Sequence, residues 1–228
     1  MSGPGAPEPG TAGTPPEPAG TADGRLLVVS GPGGVGKGTV VAQLRAQRPD
    51  VAVSVSATTR APRPHERDGV DYWFLDPDAF TELVEAGGFL EWAEFGGDRY
   101  GTPWSSVAAA RADGGVVLLE IEVQGALQVR DRFEDAVLVF LCPPDDDALV
   151  ARLRQRGTDP PERIAERMAI ARWELAQAER FDIRITNDEL AATVDELASI
   201  LDVMGTGGRP TEHGTCGPEG PPEGGREE

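Results

Sequence analysis

Residues 30–39 read Ser-Gly-Pro-Gly-Gly-Val-Gly-Lys-Gly-Thr, and this decapeptide limits the chain more than any other stretch. The run before it, Leu26-Leu27-Val28-Val29, is short and wholly apolar, as a buried parallel strand is. From Thr39 to about Gln47 the pattern is helical. A glycine-rich turn between a strand and a helix is a phosphate cradle. The glycines let successive N–H groups turn inward around an anion, and the helix N-terminus adds its positive end. The cradle comprises Gly31, Pro32, Gly33, Gly34, Val35, Gly36, Lys37, Gly38 and Thr39, and Lys37 reaches the β- and γ-phosphates of a nucleoside triphosphate. After the lysine such loops normally carry Ser or Thr, whose hydroxyl holds Mg²⁺. Here Gly38 offers no oxygen. Either the metal is held by the nucleotide, water and distant carboxylates, or Thr39 contributes.

The rest of the core alternates strand and helix. Apolar runs at 116–121 and 136–141 read as further buried strands, 51–55 and 183–185 as shorter ones, and Phe89–Phe95 as another. Helical patterns run over Asp145–Arg156, from Pro161 to about Arg180, and over Leu190–Leu201. Asp76 is placed to cap a helix ending near Ala86. The alternation predicts an α/β fold with a parallel sheet covered by helices on both faces. The segment 54–104 is less regular and reads as an insertion with small strands of its own.

Half of the 20 prolines and 14 of the 29 glycines fall in 1–24 and 205–228, where no apolar period exists, so both ends read as disordered tails around one domain at 25–204. The net charge is −18; the tails carry eight acids and two bases, which leaves −12 on the core. So acidic a core excludes nucleic-acid binding through a general positive field, though a few placed arginines still suffice for a small anion. Cys142 reads as a buried small side chain. His213 and Cys216 lie on a tail and do not make a zinc site. The two cysteines suggest no disulfide framework, the N-terminus lacks the pattern of a signal peptide, and no stretch is long enough to span a bilayer. A cytoplasmic protein with small-molecule substrates, no membrane and no obligate protein partner is expected.

A second group of motifs narrows the reading. Thr58-Thr59-Arg60-Ala61-Pro62-Arg63 is followed by Gly69 and Tyr72, by Phe89-Leu90-Glu91-Trp92-Ala93 and by Tyr100-Gly101-Thr102. Then come Ile121-Glu122, Gln124-Gly125-Ala126, Arg152 and Arg156-Gly157, Arg167, and Asn187-Asp188. In order and spacing these resemble the guanylate kinase family over about residues 25–204. The resemblance implies a P-loop nucleoside monophosphate kinase fold, ATP and GMP as substrates, Mg²⁺ as cofactor, and a lid at about 145–163. It also places Ser56, Arg60, Arg63, Glu66, Tyr72, Glu91, Tyr100, Thr102 and Glu122 at the GMP site, and Asn187 on the ATP side.

The chemistry of these residue types agrees. Arginines form paired bonds to phosphate oxygens, which suits Arg60 and Arg63; Tyr72 and Tyr100 add neutral donors. Guanine presents N–H donors at N1 and N2 and an acceptor at O6. Carboxylates match the donors, as Glu91 and Glu122 would, and a hydroxyl from Ser56 or Thr102 matches O6. Phosphoryl transfer needs cations around the moving group, and Lys37, Arg152, Arg156 and Arg167 are the candidates. Glu120, closing an apolar strand, would stand near the metal through water. Family members often carry Asp-x-Asp where this chain has Glu120-Ile121-Glu122, so each carboxylate reaches one methylene further. The rival readings are a kinase for another monophosphate such as AMP, and a non-catalytic module that binds phosphoproteins. The intact Lys37 speaks against the second.

Overall fold

The computed structural model describes residues 25–111, 115–155 and 161–211. Arg156 with the adjoining part of 145–163, the tail 1–24 and most of the tail 205–228 lie outside the described residues. Among the described residues the strands are β1 (Leu26–Ser30), β2 (Ala52–Val53), β3 (Ala57–Thr58), β4 (Trp73–Phe74), β5 (Phe89–Phe95), β6 (Asp98–Pro103), β7 (Val117–Glu120), β8 (Val137–Cys142) and β9 (Ile183–Thr186). The helices are α1 (Lys37–Gln47), α2 (Pro77–Glu85), α3 (Trp104–Arg111), α4 (Val123–Arg132), α5 (Asp146–Gln155), α6 (Pro161–Leu175) and α7 (Leu190–Gly205).

β1 is buried along its whole length and pairs in parallel with β7 on one side and β8 on the other. The main sheet is five-stranded and parallel, in the order β2-β7-β1-β8-β9. Strand alternation divides its core in two. Leu27 and Val29 face α1 and α7 through Val40, Leu44, Val194 and Leu197. Leu26 and Val28 face α3 and α4 through Val107, Val123, Ala126 and Val129. With both faces covered, only the strand ends are open, and their carboxyl ends gather the phosphate loop, Glu120 and Asn187 at one edge.

The insertion forms a separate four-stranded sheet, β4-β3-β6-β5. It closes on its own core of Ala57, Trp73, Phe80 and Phe89, where the rings of Phe80 and Phe89 stack 4.5 Å apart. Asp76 caps α2 as expected, its carboxylate accepting from the Ala79 amide at 2.8 Å. β6 and the two-residue strands β3 and β4 carry no apolar alternation of their own; β6 is built on β5, β3 on β6 and β4 on β3.

Two differences from the sequence reading have physical causes. α6 stops at Leu175 instead of about Arg180, followed by a 3₁₀ turn at Ala178–Arg180. The chain must turn there to bury Phe181 edge-on against Phe140 and to let Asp182 accept from the Leu138 amide at 2.8 Å. α7 runs on to Gly205, past the boundary drawn at Met204, and Arg25 bolts that end down by donating to the carbonyls of Gly208 (2.7 Å) and Gly207 (2.9 Å). Cys142 is fully buried, as expected. No helix among the described residues is long and apolar enough to cross a membrane.

Candidate active site

The phosphate loop turns into α1 through Gly36, whose φ of 105° is a left-handed conformation that favours glycine. Lys37 follows, only 8% exposed. Its ammonium donates to the Gly31 carbonyl at 2.7 Å and to Glu122 Oε2 at 3.1 Å. The outer side of the loop is fixed by side chains from two other elements. Val35 O accepts from Arg152 Nη1 at 2.9 Å and from Asn187 Nδ2 at 2.8 Å, and Arg152 Nη2 donates to the Asn187 carbonyl. Thr193 donates to Asn187 Oδ1 at 3.1 Å and so fixes which end of the amide faces the loop. Gly34, Val35, Gly36, Thr39, Arg152 and Asn187 border an open cavity of about 420 Å³.

A second cavity of about 350 Å³ lies between the loop and the insertion. Gly33 of the loop, Lys37 and Gly38 of α1, Glu120 of β7, Glu122 at the start of α4 and Arg167 of α6 border it on one side, and Ser56, Arg60, Arg63, Glu66, Tyr72, Phe95 and Tyr100 of the insertion on the other. A smaller recess of about 30 Å³ beside it is lined by Glu91, Glu122, Ser56 and Tyr72. In the wider part Glu66 organises the arginines. It accepts from Arg60 Nη2 at 2.9 Å, from the Arg63 amide at 2.8 Å and from Arg63 Nη1 at 3.4 Å. The Arg60 guanidinium also lies 5.6 Å over the Tyr72 ring, which meets Tyr100 edge-on. Two cations are thus held side by side at one end of the cavity.

The other end is acidic. Glu91 is 4% exposed and accepts from Thr102 Oγ1 at 2.7 Å; Thr102 Oγ1 lies 3.4 Å from Ser56 Oγ. Gly125 on α4 leaves the room for Glu91, because a Cβ there would overlap its carboxylate. Burial is the main cause that pushes Glu91 up to about 7, with Glu122 adding to it and Thr102 and Arg132 opposing. Tyr72 is raised above the ordinary phenol range by burial and by Glu120 and Glu122, so its hydroxyl stays a donor at neutral pH. Burial opposes ionisation of Glu66 too, but the Arg63 amide and the two guanidinium groups outweigh it and hold the carboxyl below its usual value.

The residues singled out in the sequence therefore fall into two groups on either side of the loop. Ser56, Arg60, Arg63, Glu66, Tyr72, Glu91, Tyr100, Glu120, Glu122 and Arg167 surround one space with Lys37, Thr102 lies buried behind Glu91, and Thr39, Arg152 and Asn187 border the other. Thr39 and Glu120 are thus not brought together. Glu120 instead faces Gly38, where an added Cβ would stand 3.3 Å from its Oε1. Three participants escape a sequence reading. Phe95 reaches from the insertion to within 3.2 Å of where a Cβ on Gly33 would stand. Gly125 reads as an ordinary helical glycine. Glu174 looks like one more acid on a helix, yet it is 2% exposed and accepts from the Gly33 amide at 3.1 Å.

A family model described as guanylate kinase matches residues 23–204. The guanylate kinase of Gloeobacter violaceus is 52% identical over 184 residues, 81% of this chain and 90% of that protein. The guanylate kinase of Thermobifida fusca is 51% identical over 182 residues, 80% of this chain and 93% of that protein. Among solved structures, the crystal structure of guanylate kinase from Anaplasma phagocytophilum superposes with a TM-score of 0.65 at 32% identity, covering 80% of this chain and 86% of that one. With this match over residues 23–204, and with a phosphate loop facing paired arginines and paired carboxylates, the chain belongs to the guanylate kinase family.

Proposed function

We propose that this chain transfers the γ-phosphoryl group of ATP to GMP, and to dGMP, giving ADP and GDP or dGDP and supplying guanine nucleotides in the cytoplasm. The observation that carries the reading is the pair Glu91 and Glu122 lining one recess beside Lys37. Guanine N1–H and N2–H are donors that two carboxylates accept from, and Ser56 supplies a hydroxyl for O6 while Thr102 holds Glu91 in place. Adenine would turn a ring acceptor toward the same acids. Arg60 and Arg63, oriented by Glu66, take the monophosphate, with Tyr72 and Tyr100 donating to it. The ATP phosphates lie in the loop from Gly31 to Thr39, and the nucleoside extends toward Arg152 and Asn187. Lys37 and Arg167 neutralise the charge that develops on the moving group, with Arg152 and Arg156 joining as the lid closes.

Mg²⁺ fits this arrangement as a companion of ATP. Among the described residues no group of three or more His, Cys, Asp or Glu could hold a metal, so phosphate and water must supply most ligands. The space that Gly38 leaves is faced by Glu120, whose added methylene brings a carboxylate toward the place of the missing hydroxyl. Glu120 would hold the ion there through water. Bound there, Mg²⁺ would offset the negative charge of the ATP phosphates.

The direct test is ADP production with GMP, dGMP, AMP, UMP and CMP as acceptors. GMP should exceed AMP by roughly 100-fold or more in kcat/KM, because the wrong base leaves buried polar groups unpaired. Equal rates with AMP would refute the assignment, and no ADP with any acceptor would favour the binding module. Affinity for GMP should also follow the Glu91 proton. Guanine needs the carboxylate, and the free protein holds that group near 7. Below pH 7 affinity should fall by up to about tenfold per pH unit; a flat GMP Kd from pH 8 to pH 6 would exclude Glu91 as the acceptor of the guanine donors. Finally, water must be kept from ATP, so the insertion and the α5–α6 segment should close over both substrates. Small-angle scattering should show a smaller radius of gyration with GMP plus a non-hydrolysable ATP analogue, and an unchanged radius would contradict closure.

A further inference from the structure

The chemistry proposed for the site leaves one buried acid unused. Glu174 is the penultimate residue of α6. Its Oε2 accepts from the Gly33 amide at 3.1 Å, so a fixed negative charge sits against the phosphate loop before any phosphate arrives. At 2% exposure it has almost no solvent to share that charge with. The charged groups that act on it from neighbouring elements are Lys37 of α1 and Glu122 at the N-cap of α4, and these two are themselves paired at 3.1 Å. One cation therefore serves two carboxylates. On its own helix, Arg167 lies seven residues earlier, about two turns along the same face, and borders the cavity that Lys37 and Glu122 also line.

We propose that Glu174 is a positioning residue of the phosphate loop that takes up a proton from solvent when the donor nucleotide binds. Phosphates entering the loop would draw on the charge of Lys37, which now offsets Glu174, and would add negative charge beside it. Both changes favour the neutral acid. Neutralisation would not release the loop, because a protonated carboxyl keeps a carbonyl oxygen that accepts from Gly33 N–H. The group is already poised for this: burial first and Glu122 second push it up to about 7, while Lys37 and the Gly33 bond hold it back. The same contact ties the occupied loop to the helix that carries Arg167.

This inference rests on the loop binding the donor nucleotide as proposed above. Calorimetric titration with ADP at pH 7.5, in two buffers of different ionisation enthalpy, separates the two claims. The unaltered chain should bind ADP and take up roughly half a proton per ADP. Glu174→Gln, which keeps an acceptor oxygen for Gly33, should bind ADP within about threefold of the parent, with uptake reduced to near zero. The same uptake in parent and variant, or none in the parent, overturns the role of Glu174 while leaving the loop's reading intact. No ADP binding by the parent overturns both. Should the variant not fold, infrared difference spectra of the unaltered chain decide: a protonated carboxylic C=O band must appear on adding ADP and not on adding GMP. Its absence overturns the proposal.

Discussion

Lys37→Ala should lower kcat for GMP phosphorylation at least about 100-fold, the loss typical when a preorganised charge is taken from a transferring group. The ammonium is held at two points, on the Gly31 carbonyl and on Glu122, so it is already in place before substrate arrives. Alanine leaves that position without charge, and the resting Arg152 is tied to Val35 and Asn187 on the other side of the loop. GMP affinity should change far less, since Arg60, Arg63 and Glu91 remain. Steady-state kinetics with a separate GMP binding measurement check both halves. Near-normal kcat in the variant would remove Lys37 from the transfer step.

Glu91→Gln should move stability and function in opposite directions. The side chain is charged in the unfolded chain above its ordinary value of 4.5 and in the folded chain only above about 7. Between those limits the folded state holds a proton that the unfolded state lacks. Stability therefore falls as pH rises through that window, by about 3 kcal/mol at its upper end. Glutamine removes the buried charge and still accepts from Thr102, so at pH 8 the variant should melt several degrees higher. At pH 4.5 the gain should vanish. The same change costs guanine an anionic partner, and KM for GMP should rise by roughly 10- to 100-fold, as the loss of a charged hydrogen bond implies. A variant neither more stable at pH 8 nor weaker for GMP would mean that Glu91 is not an ionised buried group facing the base. The retention of so costly a carboxylate is itself an argument for its use in binding.

The elements most legible in the sequence were those with local causes. β1 is a continuous apolar run, Asp76 stands where a cap is needed, and Phe89–Phe95 has a strand's composition; all three occur as read. β3 and β4 are two residues each and exist only because β3 pairs with β6 and β4 with β3, which no local pattern announces. Within the site, residue types named the chemistry, but not which side of the loop a residue occupies. Thr39 is two residues from Lys37 in the chain, yet it borders the cavity away from Glu120. Glu174 was illegible for a different reason. Its helix is only weakly amphipathic, so an acid on it reads as solvated surface, and only the docking of α6 against the loop turns it inward.

The bond network of Arg25 has a use beyond holding α7. Arg25 precedes β1 at the amino edge of the parallel sheet, and it grips Gly207 and Gly208, where the last helix has just ended. Both routes out of the ordered core thus leave from neighbouring points, on the edge opposite the phosphate loop. A short linker from residue 208 to residue 25 would make a permuted chain with new ends on an exposed loop, its nucleotide cleft unaltered. The same geometry makes either end suitable for surface attachment, with the cleft facing away from the support.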